Sequence, residues 1–252
     1  MTAPVFLADI AAAEPGGVIT VEGAEAKHAH VMRIAQGDRL DLVDGDGRRA
    51  LCTAVSVERD VLVVDVESIE RDPDGPRIVL VQALTKSGGD EDAIARATEC
   101  GVDAVIPWSA DRSIARWPAA KAERAAEKWR TALLAAMKQS RRARLPELLP
   151  LASSRDLAAR AAVTTDAGGT ILVLHESATT PLHHAELNAD ADVWIVVGPE
   201  GGITDAELDA LTQAGGQLVR AGTPVMRAAT AGAIGVSHIA QRIGRWNLDP
   251  LG

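Results

Sequence analysis

Four short runs rich in apolar and β-branched residues, 78–83, 102–107, 171–174 and 193–197, limit most strongly how this chain can fold. None alternates polar with apolar, so each predicts a strand buried on both faces, as in a parallel sheet covered on both sides. The stretches between them read as helices. Residues 90–100 form one, closed by Gly101. Residues 118–139 form a longer one rich in Ala, Lys, Glu and Arg, with Pro118 suited to its first turn. Thr204-Asp-Ala-Glu207 fits a capping box and opens a helix to Ala214, which Gly215-Gly216 ends. A last strand at 217–220 and a helix at 228–243 follow. Strands alternating with helices imply an α/β domain with a mainly parallel sheet.

The first 70 residues differ. Residues 40–47 read as a short strand running into a Gly/Asp turn, and 50–57 and 61–66 have strand composition and alternation. Closely spaced short strands suggest a small barrel. Arg71-Asp-Pro-Asp-Gly-Pro76 is the best linker in the chain. The expected domains are therefore 1–72 and 77–252.

The 252 residues are 47% hydrophobic and 24% charged, which suits a globular protein with a real core. No apolar stretch approaches the roughly 18 residues of a membrane span. The first ten residues lack a basic segment and a long apolar segment, so no signal peptide is expected. Cys52 and Cys100 alone make neither a disulfide framework nor a zinc site. A reduced, cytoplasmic protein is the expectation. With 2% aromatic residues and no Tyr, a platform of stacked aromatics for RNA has little support.

The net charge of −9 argues at first against a nucleic-acid partner, but its distribution is uneven. Residues 1–75 carry 7 basic and 15 acidic side chains, a net of −8. Residues 112–145 carry 10 basic and 2 acidic, a net of +8: Arg112, Arg116, Lys121, Arg124, Lys128, Arg130, Lys138, Arg141, Arg142 and Arg144. A basic stripe in an acidic protein is a footprint for phosphate. A solvated helix face explains the same charges equally well.

The strongest chemical signal is Val196-Val-Gly-Pro-Glu-Gly-Gly-Ile203. A buried strand ends in a loop with three glycines and a carboxylate, then a capped helix begins. Ligands of open α/β sheets bind outside the carboxyl ends of the strands, and glycines let backbone amides approach them closely. The loop is neither GxGxxG nor a Walker loop. Two other strand ends point to the same place, at Leu174-His-Glu176 and at Val219-Arg-Ala-Gly-Thr-Pro-Val-Met-Arg-Ala228. Taken alone, His175 reads as a hydrogen-bonded structural residue. Three strand-end loops supplying one pocket is the better reading. Lys27-His-Ala-His30 lacks a third ligand nearby, so no metal is expected. There is no Gly-x-Ser-x-Gly elbow, so a covalent hydrolase has no support.

These segments resemble a known family. Lys27-His-Ala-His-Val-Met-Arg-Ile-Ala-Gln-Gly-Asp38, residues 42–47, Gln82-Ala-Leu-Thr-Lys86, Ala97-Thr-Glu-Cys-Gly-Val-Asp-Ala-Val-Ile-Pro107, Arg112-Ser113 with Trp117, and Gln139-Ser-Arg-Arg142 occur in the family's order. Leu174-His-Glu176, Val197-Gly-Pro-Glu-Gly-Gly202 and Met226-Arg-Ala-Ala-Thr-Ala231 complete the set. Together they resemble the RsmE family of 16S rRNA (uracil-N3)-methyltransferases in the SPOUT superfamily, over nearly the whole chain.

The resemblance implies a PUA-like N-terminal β-barrel that binds RNA, and a C-terminal α/β SPOUT domain with a deep trefoil knot. It implies a homodimer that takes S-adenosyl-L-methionine and methylates N3 of a uridine in small-subunit rRNA. Matched by motif, the cofactor residues are Leu174, His175, Glu176, Gly198, Pro199, Glu200, Gly201, Gly202, Val219, Ala221, Gly222, Val225, Met226 and Ala228. Arg227 is the expected cation for the uracil anion, and Glu200 a candidate base. Arg33, Lys86, Arg112, Arg116, Lys138, Arg141 and Arg142 are the expected RNA contacts. The sequence departs from the family at Thr85-Lys-Ser-Gly-Gly-Asp-Glu-Asp92, which is more acidic than usual. It departs again at Ala228 and Ala229, where two polar side chains, one a carboxylate, are usual. Two alternatives stay open: a catalytically silent ribosome-binding homologue, and a SPOUT methyltransferase of another RNA such as tRNA.

Overall fold

The computed structural model describes residues 3–247. The chain divides into two compact units, Met1–Asp74 with Met137–Leu145, and Gly75–Ala136 with Pro146–Gly252.

The first unit is built on five strands: β1 (Val5–Leu7), β2 (Val18–Glu22), β3 (Arg39–Val43), β4 (Arg48–Val57) and β5 (Val61–Arg71). Their order is β1-β3-β4-β5-β2, with β1 parallel to β3 and every other pair antiparallel. β4 alternates buried with half-exposed positions, as one dry and one wet face require. Register shifts at Leu51/Cys52 and Ala54/Ser56 bend the β4–β5 ribbon. Phe6, Ile10, Leu40, Leu42, Leu62 and Val64 fill its core. Cys52 lies among them, and burial pushes its thiol up to about 11, where it is an inert apolar filler.

A helix that the strand pattern did not predict, α1 (Ala24–Val31), follows β2 and buries Ala26 and Ala29. Its start lacks a side-chain cap because Gly23 stands there, in the left-handed φ region. The segment Met137–Leu145 belongs to this unit. Lys138 Nζ meets both oxygens of Glu25 at 2.7 and 2.8 Å with both side chains about four-fifths covered. Arg49 pairs with Asp41 and donates to the carbonyl of Arg141 at 2.6 Å. Arg144 pairs with Asp74 at 3.1 Å.

The second unit has a parallel sheet in the order β12-β10-β11-β6-β7-β8. Its strands are β6 (Ile78–Ala83), β7 (Ala104–Ser109), β8 (Glu147–Leu148), β10 (Thr170–Leu174), β11 (Val193–Val197) and β12 (Gln217–Val219), with β9 (Ala152–Ser153) paired to β7. The four central strands are the apolar runs, with β7 starting two residues later than its pattern suggested. The helices are α2 (Gly89–Glu99), α3 (Ala122–Gln139), α4 (Ser154–Asp166), α5 (Asp205–Gln213) and α6 (Ala228–Arg242). Pro118 precedes a 3-10 turn, Ala119–Lys121, so the α-helical part of α3 begins only at Ala122.

Both faces of the sheet are covered. Leu157 and Ala161 of α4 and Leu211 of α5 pack with Val79, Val81, Ile106, Trp108, Val173 and Val196. On the other face, Gly232 and Gly235 of α6 lie against Leu80 and Ile195. A Cβ at Gly235 would sit 2.8 Å from Ile195 Cγ2, so only glycine lets the helix come this close. Burying a Leu or Ile side chain fully is worth about 1.5–3 kcal/mol, and the central strands bury Ile78, Leu80, Ile106, Ile171, Leu172 and Ile195.

Candidate functional site

The parallel register sets the site. Leu174 pairs with both Val197 and Val219, so β10, β11 and β12 end at one level, and the three loops anticipated from sequence leave side by side. Leu174 and His175 are half-buried and Glu176 is exposed. The His175 amide donates to Val219 O at 3.0 Å, and its Nδ1 is 2.8 Å from Ser177 Oγ.

The β11 loop carries Gly198, Pro199, Glu200, Gly201 and Gly202 into α5. Pro199 is buried and Glu200 and Gly201 are exposed. A Cβ at Gly198 would meet Ile203 Cγ1 at 2.5 Å, and one at Gly201 would meet Arg112 Cβ and O at 3.1 Å. Gly202 has φ +77°, a conformation that favours glycine. The Lys86 amide donates to Glu200 Oε1 at 3.2 Å, and Arg112 Nη1 donates to Gly201 O at 3.3 Å. The loop is thus braced on two sides by the segments leaving β6 and β7.

The capping box of α5 forms as its sequence predicts, with the Thr204 side chain accepting from Glu207 N and the Glu207 carboxylate accepting from Thr204 N. Glu207 reaches further than a cap. It accepts from Asp111 N at 2.8 Å and Ser154 Oγ at 2.6 Å. Burial pushes its carboxyl up, but the bonds from Ser154, Asp111 and Thr204 outweigh this and hold it below its usual value. Sequence reading finds the cap and misses these two partners, 96 and 53 positions away.

The β12 loop is different. Val219 is buried, Ala221, Gly222 and Met226 are half-buried, and Val225 is 82% exposed. Arg227 is exposed at the N-cap of α6, and among the described residues nothing accepts from its guanidinium. Its carbonyl accepts from Thr230 N and Ala231 N at 2.8 and 2.9 Å. Ala228 is half-buried in the first turn.

The end of β6, marked in the sequence by Gln82-Ala-Leu-Thr-Lys86, adds buried polar groups. Gln82 and Thr85 are buried, and Gln82 Oε1 and Thr85 Oγ1 have no hydrogen-bond partner among the described residues. Asp90 is buried in the first turn of α2, and burial raises its carboxyl against hydrogen bonds from the amides of Asp90, Glu91 and Thr85.

The charges of the basic segment 112–145 have different local surroundings. Its residues divide between the two units at Ala136 and Met137. Arg112 is exposed beside the glycine loop, whereas Arg116 folds back to donate to Ala110 O and Asp111 O at 2.9 Å each. Arg130 pairs with Glu123 and Glu127 along α3. Lys138 is spent on Glu25. Arg141, half-buried with φ +59°, has a buried Nη1 with no hydrogen-bond partner among the described residues. Arg142 is half-buried, Lys86 is exposed, and Arg33 is exposed just after α1. Among the described residues, no group of three or more His, Cys, Asp or Glu is arranged to hold a metal ion, and no helix is long and apolar enough to cross a membrane.

Comparison with known proteins agrees with this geometry. Residues 73–240 match the family described as RNA methyltransferase domain, and residues 21–67 match the RNA methyltransferase PUA domain. The chain is 39% identical over 249 residues to ribosomal RNA small subunit methyltransferase E of Mycobacterium bovis, covering 98% of this chain and 95% of that protein. It is 29% identical to the protein of that name from Bacillus subtilis, covering 90% and 91%. A crystal structure of the Neisseria gonorrhoeae methyltransferase E bound to S-adenosyl methionine has the same fold, with a TM-score of 0.80, 22% identity, and 96% and 98% of the two chains covered. With an RNA methyltransferase domain behind a PUA domain, this chain belongs to the family of ribosomal RNA small subunit methyltransferases E.

Proposed function

We propose that this protein transfers a methyl group from S-adenosyl-L-methionine to N3 of a uridine in 16S rRNA of the small ribosomal subunit. The observation that carries this reading is the shared end level of β10, β11 and β12, with a glycine loop whose first glycine, Gly198, leaves no room for a side chain beside Ile203. Family membership supports the reaction class.

The residues fit the cofactor. Gly222, packed loosely against Met226 and Pro224, and Val225, 82% exposed in the same loop, offer an apolar face to an adenine ring. Leu174, His175 and Glu176, the loop Gly198, Pro199, Glu200, Gly201 and Gly202, and Val219, Ala221, Gly222, Val225, Met226 and Ala228 would hold it. When bound, the cofactor supplies an electrophilic methyl carbon on a sulfonium.

The chain's own residues supply alignment and charge. Fixing the reacting atoms in line removes much of the barrier. Arg227, exposed and without a protein partner among the described residues, is suited to stabilise the oxygens of a uracil that has released its N3 proton to solvent. The Glu200 carboxylate is already engaged by the Lys86 amide, which supports a loop-holding role over that of the base. Arg33, Lys86, Arg112, Arg141 and Arg142 are read as phosphate contacts, making RNA binding salt-dependent. Lys138 and Arg116 hold the protein together instead. The same reading has the N-terminal unit contribute RNA contacts, the C-terminal unit form a trefoil knot, and two copies form a homodimer in the cytoplasm.

The deciding test is transfer of labelled methyl to small subunits from a strain lacking this gene, with nucleoside digestion and mass spectrometry. The expected product is 3-methyluridine. No product despite cofactor binding redirects the activity to another RNA such as tRNA. Neither product nor cofactor binding makes Ala228 and Ala229 marks of a silent, ribosome-binding homologue. Sedimentation as a monomer alone overturns the dimer.

A further inference from the structure

Glu207 is 4% exposed, and its carboxylate accepts four hydrogen bonds. Thr204 N and Oγ1 supply two, both at 2.8 Å, and these satisfy the helix cap. Asp111 N and Ser154 Oγ supply the others, both to Oε1. A cap on a surface helix needs no such burial, and a buried carboxylate is tolerated only when its lone pairs are filled.

What the extra bonds hold is specific. Asp111 begins the loop leaving β7. Arg116 fastens that loop to itself through Ala110 O, Asp111 O and Ala115 O. Ser113 N adds a bond to Ala110 O at 3.0 Å. Arg112, next to Asp111, reaches Gly201 O, and its backbone fills the space where a Gly201 side chain would stand. On the other side, Thr204 directly follows Ile203, whose side chain seats Gly198. One carboxylate therefore ties down the end of the glycine loop and the start of the Arg112 loop together.

We propose that Glu207 is a positioning residue that locks the loop of residues 111–116, which faces RNA, to the loop of residues 198–203, which faces the cofactor. The names of the two ligands rest on the methyltransferase reading; the mechanical coupling does not. Its consequence is that both ligands are registered to one another through a group that touches neither, and small misplacements of reacting groups are costly.

Two isosteric or near-isosteric variants of the full chain test this. Glu207→Gln must give up at least one backbone bond, from Asp111 N or from Thr204 N, because an amide has a single acceptor oxygen, while the Ser154 and Thr204 hydroxyls can turn to accept from its NH2 group. Ser154→Ala deletes one bond to the same oxygen but touches neither loop. Both are expected to lower the melting temperature. Glu207→Gln alone is expected to speed amide exchange in 111–116 and 198–203 together, by about tenfold or more. It is also expected to raise KM for both S-adenosylmethionine and small subunits by a similar factor. Ser154→Ala should leave exchange and both KM values within about twofold. If the two variants behave alike, Glu207 is merely structural and the proposal falls. Should Glu207→Gln not fold, Arg116→Ala loosens the first loop with Glu207 in place. Faster exchange then spreading to 198–203 supports the coupling, and exchange confined to 111–116 overturns it. If the unaltered protein transfers no methyl, the methyltransferase reading fails while the exchange data still decide the role of Glu207.

Discussion

The loops leaving β11 and β12 belong to one end of one sheet, yet they are built in opposite ways. The β11 loop is braced by Lys86, Arg112 and Thr204; a methyl group at Gly198 would collide with Ile203, one at Gly201 would crowd Arg112, and Gly202 holds a positive φ. The β12 loop is tied at Arg220, whose amide donates to Thr180 O and whose carbonyl accepts from Leu182 N, and then turns outward. It presents Thr223, Pro224, Val225 and Arg227 to solvent. The contrast teaches a division of labour. A cradle set before a ligand arrives costs little to use, and on the methyltransferase reading proposed above a charge that stabilises a transient anion has to stay free of internal partners.

The largest expected effect sits on the free loop. Arg227→Ala should cut methyl transfer by about 10²–10³-fold while leaving the melting temperature nearly unchanged, because the guanidinium is exposed and unpaired among the described residues. A melting temperature that falls with the activity would erase the distinction between the loops. Next come paired glycine substitutions. Gly198→Ala drives a Cβ to 2.5 Å from Ile203 and should cost about 1–3 kcal/mol in denaturant unfolding. Gly222→Ala meets nothing closer than 3.7 Å and should cost under about 0.5 kcal/mol. Equal costs would mean the β12 loop is as tightly packed as its neighbour.

Smaller again is the cap. Thr204→Ala removes the hydroxyl that accepts from Glu207 N and should destabilise the protein by about 1 kcal/mol. The smallest effect is a pH dependence. The folded Glu207 carboxyl titrates below its usual value of 4.5, so its contribution is complete above that pH and is lost as pH falls through the folded value. Melting curves across roughly pH 3 to 6 should show a shallower acid decline for Glu207→Gln than for the unaltered chain. An unchanged slope would remove the carboxylate from the bracing of the β11 loop.

Much of this was legible in the residues, and the parts that were not share a cause. The central strands, the glycine loop and the α5 cap depend on neighbours in sequence, and their patterns are strong. α4 carries a local signal too, with Ser153 and Asp156 forming a capping box, yet its Ala-rich body shows little periodicity and passed unread. α1 has no capping side chain and buries only two alanines, so nothing marks it among strands. The basic segment read as one stripe because its charges are contiguous in the chain. Lys138 and Arg144 are paired with Glu25 and Asp74, 113 and 70 positions away, and no local rule reveals such a partner. The same distance hid the second half of Glu207's work.

The return of Met137–Leu145 to the first unit has a consequence for how the protein is made. When residue 74 leaves the ribosome, Glu25 and Asp74 still await their cations, and the second guanidinium nitrogen of Arg49 its carbonyl partner, all synthesised some seventy residues later. Synthesis at about 5–20 residues per second makes that a wait of several seconds. The N-terminal unit therefore finishes only when the chain has already built the first third of its other half, and cutting the chain at the proline-rich linker yields a fragment with two of its charge pairs broken.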